Sequence, residues 1–223
     1  MLIEAHKVWK TYQRGSLQID ALRGLDLELP VGAFAMIVGP SGGGKSTLLH
    51  LLGGMDHPTQ GTLQVCGMQL ERASEADLNR FRREQLGFIF QSYNLIPSLN
   101  AVENVALALL AQGQPRHTAL QQAGALLARV GLDSRMRHKP AELSGGEQQR
   151  VAVARAIANQ TKLVLADEPT GDLDDTAADT VMQLLLELNR QLGTTFVIAT
   201  HNLRYRPLAT HWLELHSGSF STG

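Results

Sequence analysis

Cysteine is nearly absent: Cys66 stands alone, which excludes an internal disulfide. The opening residues, Met1-Leu2-Ile3-Glu4-Ala5-His6-Lys7, lack the apolar run of a signal peptide, so a reducing cytoplasm is the expected compartment. Excess charge is missing too. Against 20 Lys and Arg stand 21 Asp and Glu, a formal net of -1, which withholds the basic field that non-specific nucleic-acid binders use. Nucleic acid is therefore not an expected partner. The strongest apolar stretch, Asn104-Val105-Ala106-Leu107-Ala108-Leu109-Leu110, falls far short of the roughly 20 residues a spanning helix needs. No direct insertion into lipid is expected, and any membrane role must come through a partner. Repeats, proline-rich linkers and charge blocks are also missing, so nothing marks a second independent domain. What remains is a chain of 223 residues, 43% hydrophobic and 18% charged, long enough to fold around a sizeable core.

Periodicity gives the fold class. Apolar runs at 33–38, 87–90, 163–166 and 195–200 have strand length and end at polar or glycine-rich segments. Between them lie helical patterns. Leu120, Ala123, Leu127 and Val130 share one face up to Gly131, and Ala177, Val181, Leu184, Leu185, Leu188 and Leu192 share another up to Gly193. Helix followed by buried strand is the parallel α/β pattern. From about 92 to 159 the helices lack intervening strands: Asn100 and Glu103 form a capping-box pair, and 147–158 reads as another helix, so a helical insertion is expected. Ser74 and Asp77 open a further short helix. Its Arg80, Arg82 and Arg83 are flanked by Glu75, Asp77 and Glu84 and read as a solvated face. Near the start, Leu25, Leu27 and Leu29 alternate with Asp26 and Glu28, a half-buried β pattern.

Chemistry enters with Gly39-Pro40-Ser41-Gly42-Gly43-Gly44-Lys45-Ser46-Thr47, which matches G-x-x-x-x-G-K-[ST] between a strand and an apolar helix start. Glycines let successive N–H groups turn toward phosphate oxygens, Lys45 reaches the β- and γ-phosphates, and the Ser46 hydroxyl ligates Mg²⁺. A second strand, Leu163-Val164-Leu165-Ala166, delivers Asp167 and Glu168 at its C-terminal end, where ligands bind in open α/β sheets. Asp167 is expected to hold Mg²⁺ through water. Glu168 is then the candidate base or positioner for water attacking the γ-phosphate.

Leu143-Ser144-Gly145-Gly146-Glu147-Gln148-Gln149-Arg150 resembles the signature of the ATP-binding cassette (ABC) ATPases, upstream of the Walker B strand as in that family. Ser144 also has the chemistry of a helix N-cap, and the two roles are compatible, because a capped N-terminus presents N–H groups to a γ-phosphate. Other elements follow in family order. Tyr12 resembles the aromatic that stacks on adenine, Gln91 the glutamine that touches Mg²⁺ and water, Gly171-Asp172-Leu173-Asp174 the D-loop, and His201 the switch histidine. Position 43 is glycine where serine is frequent, and Asn202 follows His201 where aspartate is frequent. Neither departure removes a catalytic group. For the other seven histidines no role and no metal site is expected.

The resemblance implies a P-loop NTPase (RecA-like) α/β core with an N-terminal antiparallel β subdomain and an inserted α-helical subdomain. Residues 1–91 and 160–223 would form the core, and 92–159 the helical part carrying the signature. It also implies ATP and Mg²⁺ as cofactors, with Gly145, Gly146, Glu147 and Asp174 among the nucleotide-binding residues, and a head-to-tail homodimer in which each ATP lies between Lys45 of one copy and Ser144 of the other. The expected place is the cytoplasmic face of the bacterial inner membrane, peripheral to an integral permease-type partner. Gln91 and the apolar segment Ser92-Tyr93-Asn94-Leu95-Ile96-Pro97-Ser98-Leu99 are the expected dock.

In finer detail, 94–105 and 166–174 resemble the lipoprotein-releasing and macrolide-efflux branch, whose members work by mechanical transmission. The alternative is an ATP-dependent switch that regulates a cell-envelope complex without moving a substrate. A soluble role on ribosomes or DNA would call for two cassettes or a long coiled coil, and a small-molecule phosphotransferase would not need the signature. The short C-terminal stretch leaves no expectation of a regulatory domain.

Overall fold

The computed structural model describes residues 1–15 and 17–220; the last part of the C-terminal stretch discussed above lies outside them. In chain order the elements are strands β1 (Ile3–Arg14), β2 (Leu17–Leu29) and β3 (Phe34–Val38), helix α1 (Lys45–Leu52), strands β4 (Gln60–Val65) and β5 (Met68–Gln69), helix α2 (Glu75–Glu84) and strand β6 (Leu86–Ile89). Helices α3 (Ala101–Ala111), α4 (Arg116–Arg129) and α5 (Gly145–Ala156) follow. The chain then forms β7 (Leu163–Asp167), α6 (Asp175–Leu192), β8 (Thr195–Thr200), β9 (His211–His216) and β10 (Ser219–Phe220).

Two sheets result. One is antiparallel, in the order β2-β1-β4-β5. The other runs β10-β9-β3-β8-β7-β6, parallel from β9 to β6 with β10 antiparallel at its edge. The chain is therefore mixed α/β, with the antiparallel sheet built from β1 and β2 ahead of β3 and from β4 and β5 after α1, and with only helices and short turns between β6 and β7.

Strand periodicity of two splits the core cleanly. Phe34 and Met36 of β3, Val164 and Ala166 of β7, and Phe196 and Ile198 of β8 face α3 to α6. Their neighbours Ala35, Ile37, Leu163, Leu165, Val197 and Ala199 face α1, α2 and the antiparallel sheet. Both faces are covered, which is why these strands read as continuous apolar runs rather than alternating ones. Phe34 and Phe196 are fully buried with ring centroids 5.9 Å apart; truncating either to alanine would cost about 3–5 kcal/mol.

Helix starts follow side-chain caps. Ser74, Asn100, Ser144 and Asp174 each accept a hydrogen bond from the backbone three residues on, and the pairs Asn100/Glu103 and Ser144/Glu147 are complete capping boxes. At the far end of α6, Gly193 adopts φ +66°, a left-handed cap open to glycine at little cost. The structure differs from expectation in places. Helix α5 begins at Gly145, two residues before the expected 147, because the Ser144 cap starts it at once. Helix α4 begins at Arg116, directly after Pro115, ahead of its apolar stripe. Strand β9 escaped notice because its residues are mostly half-buried and give no apolar run.

Candidate active site

The loop 39–44 leaves the C-terminal end of β3 and enters α1. Its glycines answer to close backbone approach: a Cβ at Gly39 would fall 2.0 Å from Leu215 O, and Gly44, at φ +102°, would bring one within 2.6 Å of Ala21 O. Lys45, the first residue of α1, is buried, and its Nζ donates to Gly39 O at 2.8 Å and Pro40 O at 3.2 Å. The cation is thus held by the loop it follows, 3.7 Å from Glu168 Oε1. A polyphosphate entering the loop would exchange weak carbonyl partners for strong anionic ones.

Strand β7 lies beside β8 and ends at the same rim. Asp167 closes the strand, and Glu168 turns out of it at φ +45°, a left-handed conformation that a non-glycine residue rarely adopts. The turn is fixed from three sides. Glu168 N donates to Ala199 O at 2.9 Å, and its Oε2 accepts from His201 N at 3.3 Å and lies 3.0 Å from His201 Nδ1. With Nδ1 engaged there, Nε2 of the exposed His201 is the ring nitrogen left for another partner. Gln91, beyond β6, donates from Nε2 to Asp172 Oδ1 at 2.8 Å, which leaves its carbonyl oxygen for another partner.

These groups share one cleft of about 660 Å³, lined by Ser41, Gly42, Gly44, Lys45, Ser46, Thr47, Gln91, Asp167, Glu168 and His201 together with Ala21 and Gly171. A larger hollow of about 830 Å³ opens at the opposite end of the strands, beside Val31, Lys162 and Thr194. It contains none of the predicted site residues, so chemistry and not volume locates the site. The cleft suits Mg²⁺: Ser46 hydroxyl, Gln91 amide and Asp167 carboxylate supply hard oxygen donors, too few for a closed cage and right for an ion that shares phosphate oxygens and water. Among the described residues no cluster of three or more His, Cys, Asp or Glu is placed to hold a metal alone.

Not every predicted residue comes to this cleft. Tyr12 lies on β1 off its lining, its phenol bonded to Asp56 Oδ2 at 2.9 Å with Lys10 Nζ 4.9 Å from its ring centre. Burial, then Asp56, pushes that phenol above its ordinary pKa. Ser144, Gly145, Gly146 and Glu147 open α5, and Asp174 caps α6 through Ala177 N at 2.9 Å; none lines the cleft. Other functional neighbours escaped sequence reading, namely Asp172, which holds Gln91, and Asp56 and Lys10, which hold Tyr12. Asp172 lies inside the D-loop segment and carries a signal; Asp56 is 44 residues from Tyr12 and carries none, and Lys10, two residues before Tyr12, looks like any surface lysine until the strand places it.

The ABC transporter family model matches residues 22–171. The chain belongs to the ABC transporter family. It is 44% identical over 219 residues to the lipoprotein-releasing system ATP-binding protein LolD of Legionella pneumophila strain Paris, covering 98% of this chain and 96% of the relative. It is 47% identical over 217 residues to the LolD of Xanthomonas campestris pv. campestris strain 8004, covering 97% and 91%. In structure it resembles the ATP-binding cassette MJ0796, solved as a dimer in a post-hydrolysis state with ADP and Pi. There the TM-score is 0.91 and the identity 38%, with 99% of this chain and 97% of that one covered.

This ABC cassette is therefore an ATP-hydrolysing subunit of the LolD-like branch, using ATP with Mg²⁺. Among its described residues no helix is long and apolar enough to cross a membrane.

Proposed function

We propose that the cassette works as one half of an ATP-sandwiched homodimer that drives an integral inner-membrane partner from the cytoplasmic face, and that the work is lipoprotein release. The observation that carries the dimer is that Ser144, Gly145 and Gly146 stand off the cleft holding Lys45, so one chain offers a phosphate cradle and a separate N–H-rich helix start. The names of relatives that match nearly the whole chain support the cargo class.

In this reading Tyr12 stacks on adenine, and the loop 39–44 with Lys45 and Thr47 binds the phosphates. Ser46, Gln91 and Asp167 hold Mg²⁺, which when bound neutralises phosphate oxygens. Glu168 takes the proton of the attacking water, and His201, tied to that carboxylate, orients it toward the γ-phosphate. Ser144, Gly145, Gly146, Glu147 and Asp174 of the second copy close over the same phosphate. Loss of the γ-phosphate removes what joins the halves, and they open.

Residues 92–159 act as the lobe that carries the signature, and the dock lies where this lobe meets Gln91 and the end of β6. Beside Gln91 the chain makes two successive left-handed residues, Tyr93 at φ +58° and Asn94 at φ +47°, whose carbonyls both accept from Arg155. Next to this turn a groove of about 710 Å³ opens between α2, β6, α3 and α5. Phe88 and Phe90 stack in it with centroids 4.2 Å apart, alongside Met55 and Arg82. An apolar groove rimmed by arginine and joined to Gln91 fits a short amphipathic segment of a membrane protein.

Affinity purification of the Glu168→Gln form from its own cells in mild detergent with MgATP tests this. Recovery of a membrane protein with an extracytoplasmic domain that binds lipoprotein is the expected outcome. Recovery of ribosomal or DNA-associated proteins with no membrane protein would overturn it.

A further inference from the structure

The first turn of α5 carries a charge that its assigned task does not want. Glu147 completes the Ser144 capping box, with Ser144 N donating to Oε2 at 2.8 Å and Glu147 N donating to Ser144 Oγ at 3.2 Å. The Ser144 N–H, and then Arg135, hold the carboxylate below its ordinary pKa, so it is ionised at neutral pH. For an isolated helix this is favourable, since an anion in the first turn meets the positive end of the dipole. For a helix start that must receive a γ-phosphate, the same anion cancels that positive end and repels the ligand.

Arg135 supplies the missing charge. It ends the short turn Asp133–Arg135 after α4, and its Nε donates to Glu147 Oε1 at 3.0 Å, the carboxylate oxygen that the cap leaves over. His138 Nε2 lies 3.4 Å from Arg135 Nη1 and flanks the pair. Arg135 is itself half exposed, and an ion pair of that kind contributes little to folding. Its consequence is electrostatic. With Glu147 paired, the opening turn of α5 presents Ser144 and the following N–H groups without a net negative charge beside them.

We propose that Arg135 is a positioning residue for ATP-driven dimer closure, neutralising Glu147 so that the start of α5 can accept the γ-phosphate held by the second copy. The proposal rests on the head-to-tail reading given above and adds to it a residue outside the signature. It also accounts for how an acidic residue is tolerated within a phosphate receptor.

The test measures MgATP-dependent dimerisation of the Glu168→Gln protein by analytical ultracentrifugation, alongside ATP binding to the monomer. Arg135→Gln keeps a donor of similar reach and removes the charge. It should raise the half-saturating MgATP for dimerisation about tenfold, the order expected for one unit charge several ångströms from a phosphate at intermediate dielectric. ATP binding to the monomer and the melting temperature should not move. Arg135→Lys should restore most of the loss, because charge and not the guanidinium fork is required.

The deciding comparison is the double variant. In a Glu147→Gln background, where the capping box survives without its charge, Arg135→Gln removes both members of the pair together, so the double variant should dimerise at close to the parent's half-saturating MgATP. A double variant as impaired as Arg135→Gln alone, or no recovery with lysine, would make Arg135 a mechanical tie and overturn the proposal. Dimerisation by Arg135→Gln at the parent's MgATP concentration would overturn it alone, leaving the head-to-tail reading intact. Failure of the Glu168→Gln parent to dimerise at all would overturn that reading, and the proposal with it.

Discussion

Glu168 occupies a backbone conformation that costs about 1–3 kcal/mol for a residue with a side chain, and it is retained at the end of β7 by Ala199 O and His201. The strain aims a carboxylate, 16% exposed, into the cleft between Lys45 and His201. Glutamine keeps the shape and most of the hydrogen bonding but cannot take a proton. Glu168→Gln should therefore bind ATP with undiminished affinity and lose hydrolysis by about 10²-fold or more, as single-turnover assays beside equilibrium nucleotide binding would reveal. Near-normal turnover would remove Glu168 from the reaction.

At this scale the sequence was informative where function fixes residue types at fixed spacing. The loop from Gly39 to Thr47 and the pair Asp167 and Glu168 could be read directly, and the cleft is lined by Ser41, Gly42, Gly44, Lys45, Ser46 and Thr47 of that loop and by both carboxylates, while Gly39, Pro40 and Gly43 lie off its lining. The residues that hold others in place could not. Arg135 and Arg155 act on groups 12 and about 60 positions away, and nothing local distinguishes them from surface arginines.

Among the elements, α3 shows how a polar side chain in an apolar stripe can be structural. Asn104 is fully buried between Ala101 and Val105. Its Oδ1 accepts from Ile96 N at 2.7 Å, and its Nδ2 donates to the carbonyls of Ile96, Leu99 and Asn100 at 3.1–3.2 Å. One side chain thus fastens the segment after Gln91 to the helix behind it. Asn104→Ala would orphan those backbone groups at a cost of roughly 2 kcal/mol. Thermal unfolding should show a melting temperature lower by about 4–8 °C for a chain of this size. If the proposed dock depends on the shape of that segment, coupling to the membrane partner should fall while ATP binding stays.

The helix starts were legible because a cap is a local device: Ser74, Asn100 and Ser144 announce themselves within four residues. Strand order was not, since β3 pairs with β8 and β9, more than 150 residues later, through contacts that no local pattern records.

For the whole molecule, the six-stranded sheet sets the division of labour. Its C-terminal rim gathers Lys45, Asp167, Glu168 and His201 from α1, β7 and the turn after β8, while helices between β6 and β7 carry Ser144 away from that rim. The parallel α/β class and the helical stretch followed from periodicity, but the long antiparallel pair β1 and β2 showed in only a few alternating leucines. Its register is broken by bulges, which interrupt the period on which strand reading depends.

On the proposed reading, a cradle and a receptor that do not meet within one chain require two chains. The most direct measurement is the mass in solution of the Glu168→Gln protein with and without MgATP, by light scattering after size-exclusion chromatography, beside the same protein carrying Ser144→Arg. A dimer with MgATP, a monomer with ADP, and no dimer with Ser144→Arg despite normal ATP binding are the expected results. A protein that stays monomeric with bound MgATP, or a Ser144→Arg form that dimerises as well as its parent, would contradict the shared site.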